Sequence, residues 1–186
     1  MNWSLPTDVC IDGAKYNIRN NCDYRVVLDV IAVLNDEDLE PQHRIACALF
    51  IFYESLEGCE DTEKAVKEMY RIINNGEDAD KNKDQYAPKL MDWEYDFNLI
   101  APPVSRVLGY SVRDSKNYTH WYDFIGAYGE IGGECTFSTI TSIRAKKAKG
   151  KKLDKWEEEY CREHPDLVYL PRKMSDEERE FLFSEI

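Results

Sequence analysis

The chain has 186 residues, of which 43% are hydrophobic, so it can fold around a packed core. Its 36 acidic residues outnumber its 24 lysines and arginines, and the formal net charge of −12 disfavours contact with nucleic-acid phosphates. The start of the chain lacks the features of a secretory signal, and the longest apolar run, 46–53, is too short to cross a bilayer. We therefore expect a cytosolic protein whose partner is neither a nucleic acid nor a membrane.

The first predicted element is a β-hairpin at residues 8–19. Asp12 and Gly13 separate two short apolar segments, and both residue types tolerate the positive φ of a tight turn. Asp23 is then placed to cap a helix, because its carboxylate can accept a free backbone N–H of the first turn. The dense Val, Ile and Leu residues of 24–34 predict that this helix is buried.

Two further helices are predicted from apolar side chains at helical spacing. Pro41 fits the first turn of one helix, where its missing N–H costs nothing, and Gly58 is expected to close that segment. Asp61 or Thr62 caps the next helix, and the Asn-Asn-Gly sequence at 74–76 ends it.

The middle of the chain is predicted to contain a loop and an interrupted helix. Residues 77–89 are polar throughout, which is typical of a loop. Residues 90–101 have helical character up to Pro102 and Pro103, which predict a kink or a break. A short helix is expected to continue at 104–108.

The next segments are again helical in pattern. Residues 118–128 are rich in aromatic side chains and are followed by a glycine-rich turn. One long helix is predicted from Thr136 to about Trp156 or beyond, although Gly150 weakens it.

The C-terminal part is predicted to be an extended link between Pro165 and Pro171 and a short last helix, 176–184, after a capping-box pattern. The predicted fold class is mainly α: a small helical domain with an N-terminal β-hairpin and a charged C-terminal helical extension. We divide the chain into an N-terminal hairpin arm, a helical core and a charged extension with the short final helix, at residues 1–22, 23–156 and 157–186.

A zinc site is the first chemistry to consider. His43 and Cys47 are four residues apart on one predicted helix, and Cys161 and His164 are three apart on another, so the two pairs could form a Cys2His2 site. The close C-x-x-C pairing of most structural zinc sites is missing. We therefore predict no metal, and we expect the six cysteines to be free thiols.

A hydrolase would need a nucleophile, a base and an orienting acid. His120 and Asp123 are one helical turn apart, but no Gly-x-Ser-x-Gly motif accompanies them, and the chain lacks the glycine-rich phosphate-binding motifs. The other candidates are three serines and a carboxylate cluster, namely Ser105, Ser111, Ser115, Asp92, Glu94 and Asp96. Helix capping and solvation explain such acids in an acidic chain, so we predict neither catalytic residues nor a cofactor.

Residues 144–152 form a basic run in this otherwise acidic chain. On a helix its lysines would be spread over several faces, which is typical of a solvated extension. The acidic residues 157–159 follow directly and partly neutralise it, which disfavours a nucleic-acid arm. We expect the run to contact acidic residues of a neighbouring chain or of the same chain.

The second half of the chain contains a distinctive series of short motifs. They are Trp93-Glu94-Tyr95-Asp96-Phe97, Leu99-Ile100-Ala101-Pro102, Leu108-Gly109-Tyr110, Thr119-His120-Trp121-Tyr122-Asp123-Phe124, Glu130-Ile131-Gly132, Thr136-Phe137, Ile143-Arg144 and Lys149-Gly150-Lys151-Lys152-Leu153. In this order the motifs resemble those of a phage protein family named for gene product fifteen of a temperate siphophage. Leu5-Pro6, Ile11-Asp12-Gly13 and Tyr16-Asn17-Ile18 are compatible with that family, so the resemblance spans nearly the whole chain up to Leu170.

The resemblance implies a role in tail assembly, because genes of this family typically lie between those of the major tail protein and the tape measure protein. It implies a non-catalytic chaperone, or a companion of one, in the host cytoplasm. The expected partner is the tape measure protein; the major tail protein, a companion assembly protein and a second copy of the chain are the further candidates. The alternatives are a minor structural component of the tail and an acidic DNA-mimic inhibitor of a host defence protein.

The candidate partner-binding residues are aromatic or basic. Aromatic side chains dominate binding hot spots, but the same side chains are more often buried in a core. The candidates are Trp121, Tyr122, Phe124, Arg144 and Lys147.

Overall fold

A computed structural model of the protein describes residues 4–77 and 87–171. In these ranges the chain is mainly helical, with a two-stranded antiparallel hairpin near the N-terminal end, as the sequence predicts. The elements are β1 (Asp8–Ile11), β2 (Ala14–Asn17), α1 (Tyr24–Asn35), α2 (Pro41–Phe52), α3 (Thr62–Ile73), α4 (Phe97–Leu108), α5 (Trp121–Gly129), α6 (Thr136–Ala148), α7 (Lys155–Glu163) and α8 (Pro165–Val168).

The hairpin packs against the helices. Val9 pairs with Tyr16 across the two strands, and both side chains are buried in the same hydrophobic cluster as the core residues of α1 to α5. The turn has Asp12 at φ 52° and Gly13 at φ 84°, the positive values that this pair of residues predicts. The proposed limit of the hairpin arm at residue 22 stays a prediction.

The N-terminal caps of α1 and α3 are where the sequence predicts them. The Asp23 carboxylate accepts the backbone N–H of Arg25 at 2.9 Å, and the Asp61 carboxylate accepts that of Lys64 at 3.0 Å. Pro41 is the first residue of α2. These local contacts satisfy backbone donors that the helix itself leaves free, so the caps could be recognised from the sequence alone.

The predicted closure of the second helix at Gly58 is wrong, because α2 ends at Phe52. The Arg19 guanidinium donates hydrogen bonds to the carbonyl oxygens of Phe50, Ile51 and Tyr53, at 2.8–2.9 Å. Tyr53 itself is extended and forms a β-bridge with Ile18. A side chain from a distant turn therefore ends this helix.

The predicted interruption at Pro102 and Pro103 is also wrong, since α4 runs through both prolines. The helix begins at Phe97 and not at residue 90, because the segment before it forms turns. The prolines therefore fall just after the first helical turn and remove only the hydrogen bonds that the carbonyls of Asn98 and Leu99 would accept.

The single long helix predicted from Thr136 to Trp156 is divided in the structure. After Ala148 the chain closes a Schellman turn, in which the N–H of Gly150 bonds to Lys147 and that of Lys151 bonds to Lys146. Gly150 has φ 62°, which glycine adopts at low cost. A capping box between Asp154 and Glu157 then begins α7.

The predicted extended link between Pro165 and Pro171 contains the short helix α8. Pro165 is its first residue, and the N–H of Val168 bonds to the carbonyl of His164 at 3.1 Å. The predicted last helix, 176–184, lies outside the described residues.

The buried side chains form two hydrophobic clusters. The main cluster joins the hairpin to α1–α5 and the start of α6, and the smaller one has Ile143, Cys161 and Val168 at its centre. In the ranges that the structure describes, no helix has the length and apolar composition needed to span a membrane.

Candidate protein-binding groove

An open groove with a volume of about 1090 Å³ lies between α1 and the segment 89–97. Half-buried apolar side chains from both walls line it: Leu28, Ile31, Val33, Met91, Trp93 and Phe97. Large, mostly apolar concave surfaces are the usual binding sites of proteins. This groove is therefore the candidate functional site.

The first wall exists because α1 is apolar on more than one face. Val27 and Val30 are fully buried in the main cluster. Leu28 and Ile31 are only half-buried and line the groove. The apolar run of α1 therefore serves both the core and a surface that faces solvent.

The second wall is a turn that Asp92 organises. Its carboxylate accepts the backbone N–H groups of Glu94 and Tyr95 at 3.0 and 2.9 Å, and it forms an ion pair with Lys89 at 2.5 Å. Although burial opposes the effect, these hydrogen bonds hold the pKa of Asp92 below its ordinary value. The ionised Asp92 thus fixes the turn that presents Trp93.

An aromatic stack connects the groove to the core. Trp93 lies with its ring centroid 6.1 Å from that of Trp121 and 4.9 Å from that of Tyr128. Tyr24, on the opposite wall, stacks on Phe124 with the centroids 4.3 Å apart. Trp93 therefore contacts aromatic rings of the core while it lines the groove.

The rim of the groove carries more acidic than basic side chains. Arg25 donates to the carboxylate of Asp23 and to the carbonyl oxygen of Val112, and Lys89 is paired with Asp92. Partial burial raises the pKa of Asp29 above its ordinary value. The charged residues that line the groove are Asp29, Asp36, Asp38, Asp92, Glu94, Arg25, Lys89 and Arg113, so the acids outnumber the bases by five to three.

The predicted aromatic site residues lie mostly behind the groove. Trp121 is 2% exposed and Phe124 is fully buried, with their ring centroids 6.0 Å apart. The Trp121 indole N–H donates to the carbonyl oxygen of Ile73 at 3.0 Å. Tyr122 is half-buried on the same helix. In this conformation Trp121 and Phe124 support the groove from inside, and their role in partner binding stays a prediction.

Arg144 is buried at the junction of the two clusters. It forms a bidentate ion pair with the fully buried Asp96, at 2.6 and 2.9 Å. Its other N–H groups donate to the carbonyl oxygens of Leu90, Leu167 and Val168. All five guanidinium donors are therefore used inside the protein. Lys147, in contrast, is exposed, and its ammonium lies 4.2 Å above the Tyr169 ring.

His120 and Ser105, which were considered for catalysis, have structural partners. His120 is buried, and its Nδ1 accepts the backbone N–H of Tyr122 while its Nε2–H donates to the carbonyl oxygen of Pro6. Ser105 Oγ accepts the N–H of Val112. In the described part of the chain, no three His, Cys, Asp or Glu side chains form a group that could hold a metal, so the pairs His43–Cys47 and Cys161–His164 do not assemble there.

Sequence reasoning missed the groove and the buried ion pair. The groove could have been found from the run 24–34. Its apolar side chains cover more of the helix surface than a single buried face requires. No local signal pairs Asp96 with Arg144, because 48 positions separate them in the sequence.

Comparison with known proteins supports the resemblance of the motifs. No curated protein and no solved structure matches the chain significantly. A family model described as Bacteriophage Gp15 protein matches residues 1–170, and this family is not a known enzyme family. The match covers both walls of the groove and both hydrophobic clusters. The chain belongs to the Bacteriophage Gp15 protein family.

Proposed function

We propose that this protein is a tail-assembly chaperone that binds the tape measure protein in the groove between α1 and the segment 89–97. A tape measure protein is a long helical chain whose apolar stripes would self-associate before the tail tube covers them. A chaperone must therefore offer an apolar surface for these stripes and keep the complex soluble. The groove is the single observation on which this proposal rests.

The dimensions of the groove suit one amphipathic helix. One wall is α1, whose twelve residues span about 18 Å, so the groove can hold about three turns of a partner helix. Leu28, Ile31 and Trp93 would contact the apolar stripe of that helix. Recognition of an amphipathic helix in an apolar groove is a common mode of peptide binding.

The charges add specificity and solubility. The acidic excess at the rim favours a helix with basic residues beside its apolar stripe. The net charge of −12 makes complexes repel one another, so a partner coated by several copies stays dispersed.

Co-expression with the phage's own tape measure protein tests both the function and the site. We expect the wild-type protein to keep the tape measure protein soluble and to be purified with it. Ala32 is exposed and lines the groove, so Ala32→Arg should fill the groove and abolish the complex. Ala148→Arg, on an exposed position of α6, is the matched control and should bind like the wild type.

Two outcomes would contradict the proposal in different ways. If the tape measure protein is equally insoluble with and without this chain, the chaperone function is wrong. If Ala32→Arg and Ala148→Arg bind equally well, the groove is not the binding site. Purified virions that contain the protein would instead favour a structural component of the tail.

A further inference from the structure

The outer face of α2 is an apolar surface that the groove does not include. Phe50 is 78% exposed, the highest value among the large hydrophobic side chains that the structure describes. Ala46 and Cys47, one helical turn before Phe50 on the same face, are also exposed. The opposite face of α2 is buried through Ala48, Leu49 and Phe52. A helix that is apolar on all sides is normally covered on all sides.

We propose that this face of α2 binds the same face of a second copy of the chain, with the two helices antiparallel about a twofold axis. The surface is complementary to itself in shape, because the bulky Phe50 lies beside the small pair Ala46 and Cys47. In an antiparallel pair, each Phe50 ring packs over the small pair of the other copy. A twofold interface needs this self-complementarity.

The charges at the two ends of the face select the antiparallel orientation. Glu40 and His43 are exposed at the N-terminal end of α2, and Arg19 and Glu54 lie at its C-terminal end. Antiparallel packing brings Glu40 towards Arg19 and His43 towards Glu54 of the other copy. Parallel packing would instead bring Glu40 towards Glu40 and Arg19 towards Arg19 of the other copy, and it would align the two helix dipoles.

The centre of the face fits an interface between copies. The exposed positions 46, 47 and 50 of α2 carry no charged side chain, and the Arg19 guanidinium lies 5.7 Å from the centroid of the Phe50 ring. The cores of homodimer interfaces are depleted of charge and enriched in aromatic residues, with Phe50 as the candidate anchor here. None of the residues that line the groove belongs to α2, so a dimer has two open grooves.

Light scattering and sedimentation test the dimer. With rising concentration, the mass should increase from that of one chain, 21.8 kDa, towards twice that value. Phe50→Glu should weaken the dimer by about 30-fold or more. Because the Phe50 side chain is mostly in solvent, circular dichroism should show an unchanged fold. Val107→Glu, at a position that is 45% exposed on α4, is the matched control and should dimerise like the wild type.

Cysteine cross-linking tests the orientation. In a background with Cys10→Ser and Cys47→Ser, a His43→Cys chain is mixed with a Glu54→Cys chain under mild oxidation. Antiparallel packing predicts cross-links between positions 43 and 54 and few between two copies of position 43.

A protein that stays monomeric at every concentration would overturn the proposal. So would a dimer that Phe50→Glu leaves intact, or cross-linking that joins position 43 to position 43 in preference to position 54. If Phe50→Glu reduces tape measure binding while the wild type is monomeric, the face binds that partner and the dimer is wrong.

Discussion

At the scale of single residues, several side chains that sequence reasoning considered for binding or catalysis have their polar groups satisfied inside the protein. His120 links the start of α5 to Pro6 through both ring nitrogens. The five N–H groups of the Arg144 guanidinium donate to the Asp96 carboxylate and to three backbone carbonyl oxygens. Buried polar side chains need such partners because unpaired donors in a core are costly. Their types resemble those of functional sites, but their contacts hold the fold together.

Replacing Arg144 should strongly destabilise the protein. Arg144→Ala leaves the carboxylate of Asp96 buried without its cation, which costs about 3–5 kcal/mol in the free energy of unfolding. Lys149→Ala, at an exposed position five residues later, should change the free energy of unfolding by less than about 0.5 kcal/mol. Urea denaturation of the two variants measures the difference. An Arg144→Ala protein that is as stable as the wild type but does not bind the tape measure protein would assign Arg144 to the partner instead.

Replacing Trp121 should lower the free energy of unfolding by a comparable amount, because its ring is packed in the core. Trp121→Ala removes a ring that is 2% exposed and should cost roughly 3–5 kcal/mol in the free energy of unfolding. Trp156 is 56% exposed, so Trp156→Ala is the matched control and should lower the melting temperature only slightly. A Trp121→Ala variant that melts like the parent and fails to bind its partner would show that this side chain is a binding residue.

At the scale of elements, most errors in sequence prediction concern where a helix begins or ends. The helix predicted from Thr136 to about Trp156 is interrupted, because a turn at Gly150 ends α6. Apolar spacing continues past Phe52, but Arg19 ends α2. The two prolines in α4 are tolerated because the helix starts late. In these cases, a side-chain contact or a local backbone turn decides the boundary of the helix.

Substitution of glycine by alanine distinguishes a divided helix from a continuous one. Gly150 has φ 62°, so Gly150→Ala should destabilise the protein by about 1 kcal/mol. In a continuous helix, the same change would stabilise it by about 0.5–1 kcal/mol. Gly126 lies in α5 with open space around its Cβ position, and Gly126→Ala is the control that should show this stabilisation. A stabilised Gly150→Ala protein would mean that α6 and α7 form one helix.

At the scale of the whole molecule, two hydrophobic clusters of unequal size meet at the Arg144–Asp96 ion pair. The smaller cluster contains few fully buried apolar side chains, and its helices α7 and α8 are short. Local stability follows the number of buried apolar contacts, so the helices around the smaller cluster should unfold locally more often than those around the main cluster.

Hydrogen exchange should reveal this difference. The amides of α7 should exchange faster than those of α1 and α5, because α7 is held to the rest of the chain mainly by Cys161, by Tyr160 and by the Lys146–Glu157 ion pair. Mass spectrometry of peptides from the native protein measures the exchange rates. Equal protection of α7 and α1 would show that the two clusters open as one unit.

The sequence by itself determined the fold class, the hairpin, the caps of α1 and α3, the acidic character and the family. These features depend on residues close together in the chain, such as Asp12 with Gly13 or Asp61 with Lys64, or on composition. Only the tertiary structure decided where α2 ends, that Arg144 pairs with Asp96, and that α1 and the segment 89–97 enclose a groove. The physical reason is the distance along the chain. A cap or a tight turn is stabilised by neighbours, whereas a groove or a buried ion pair requires segments that meet only when the core has packed.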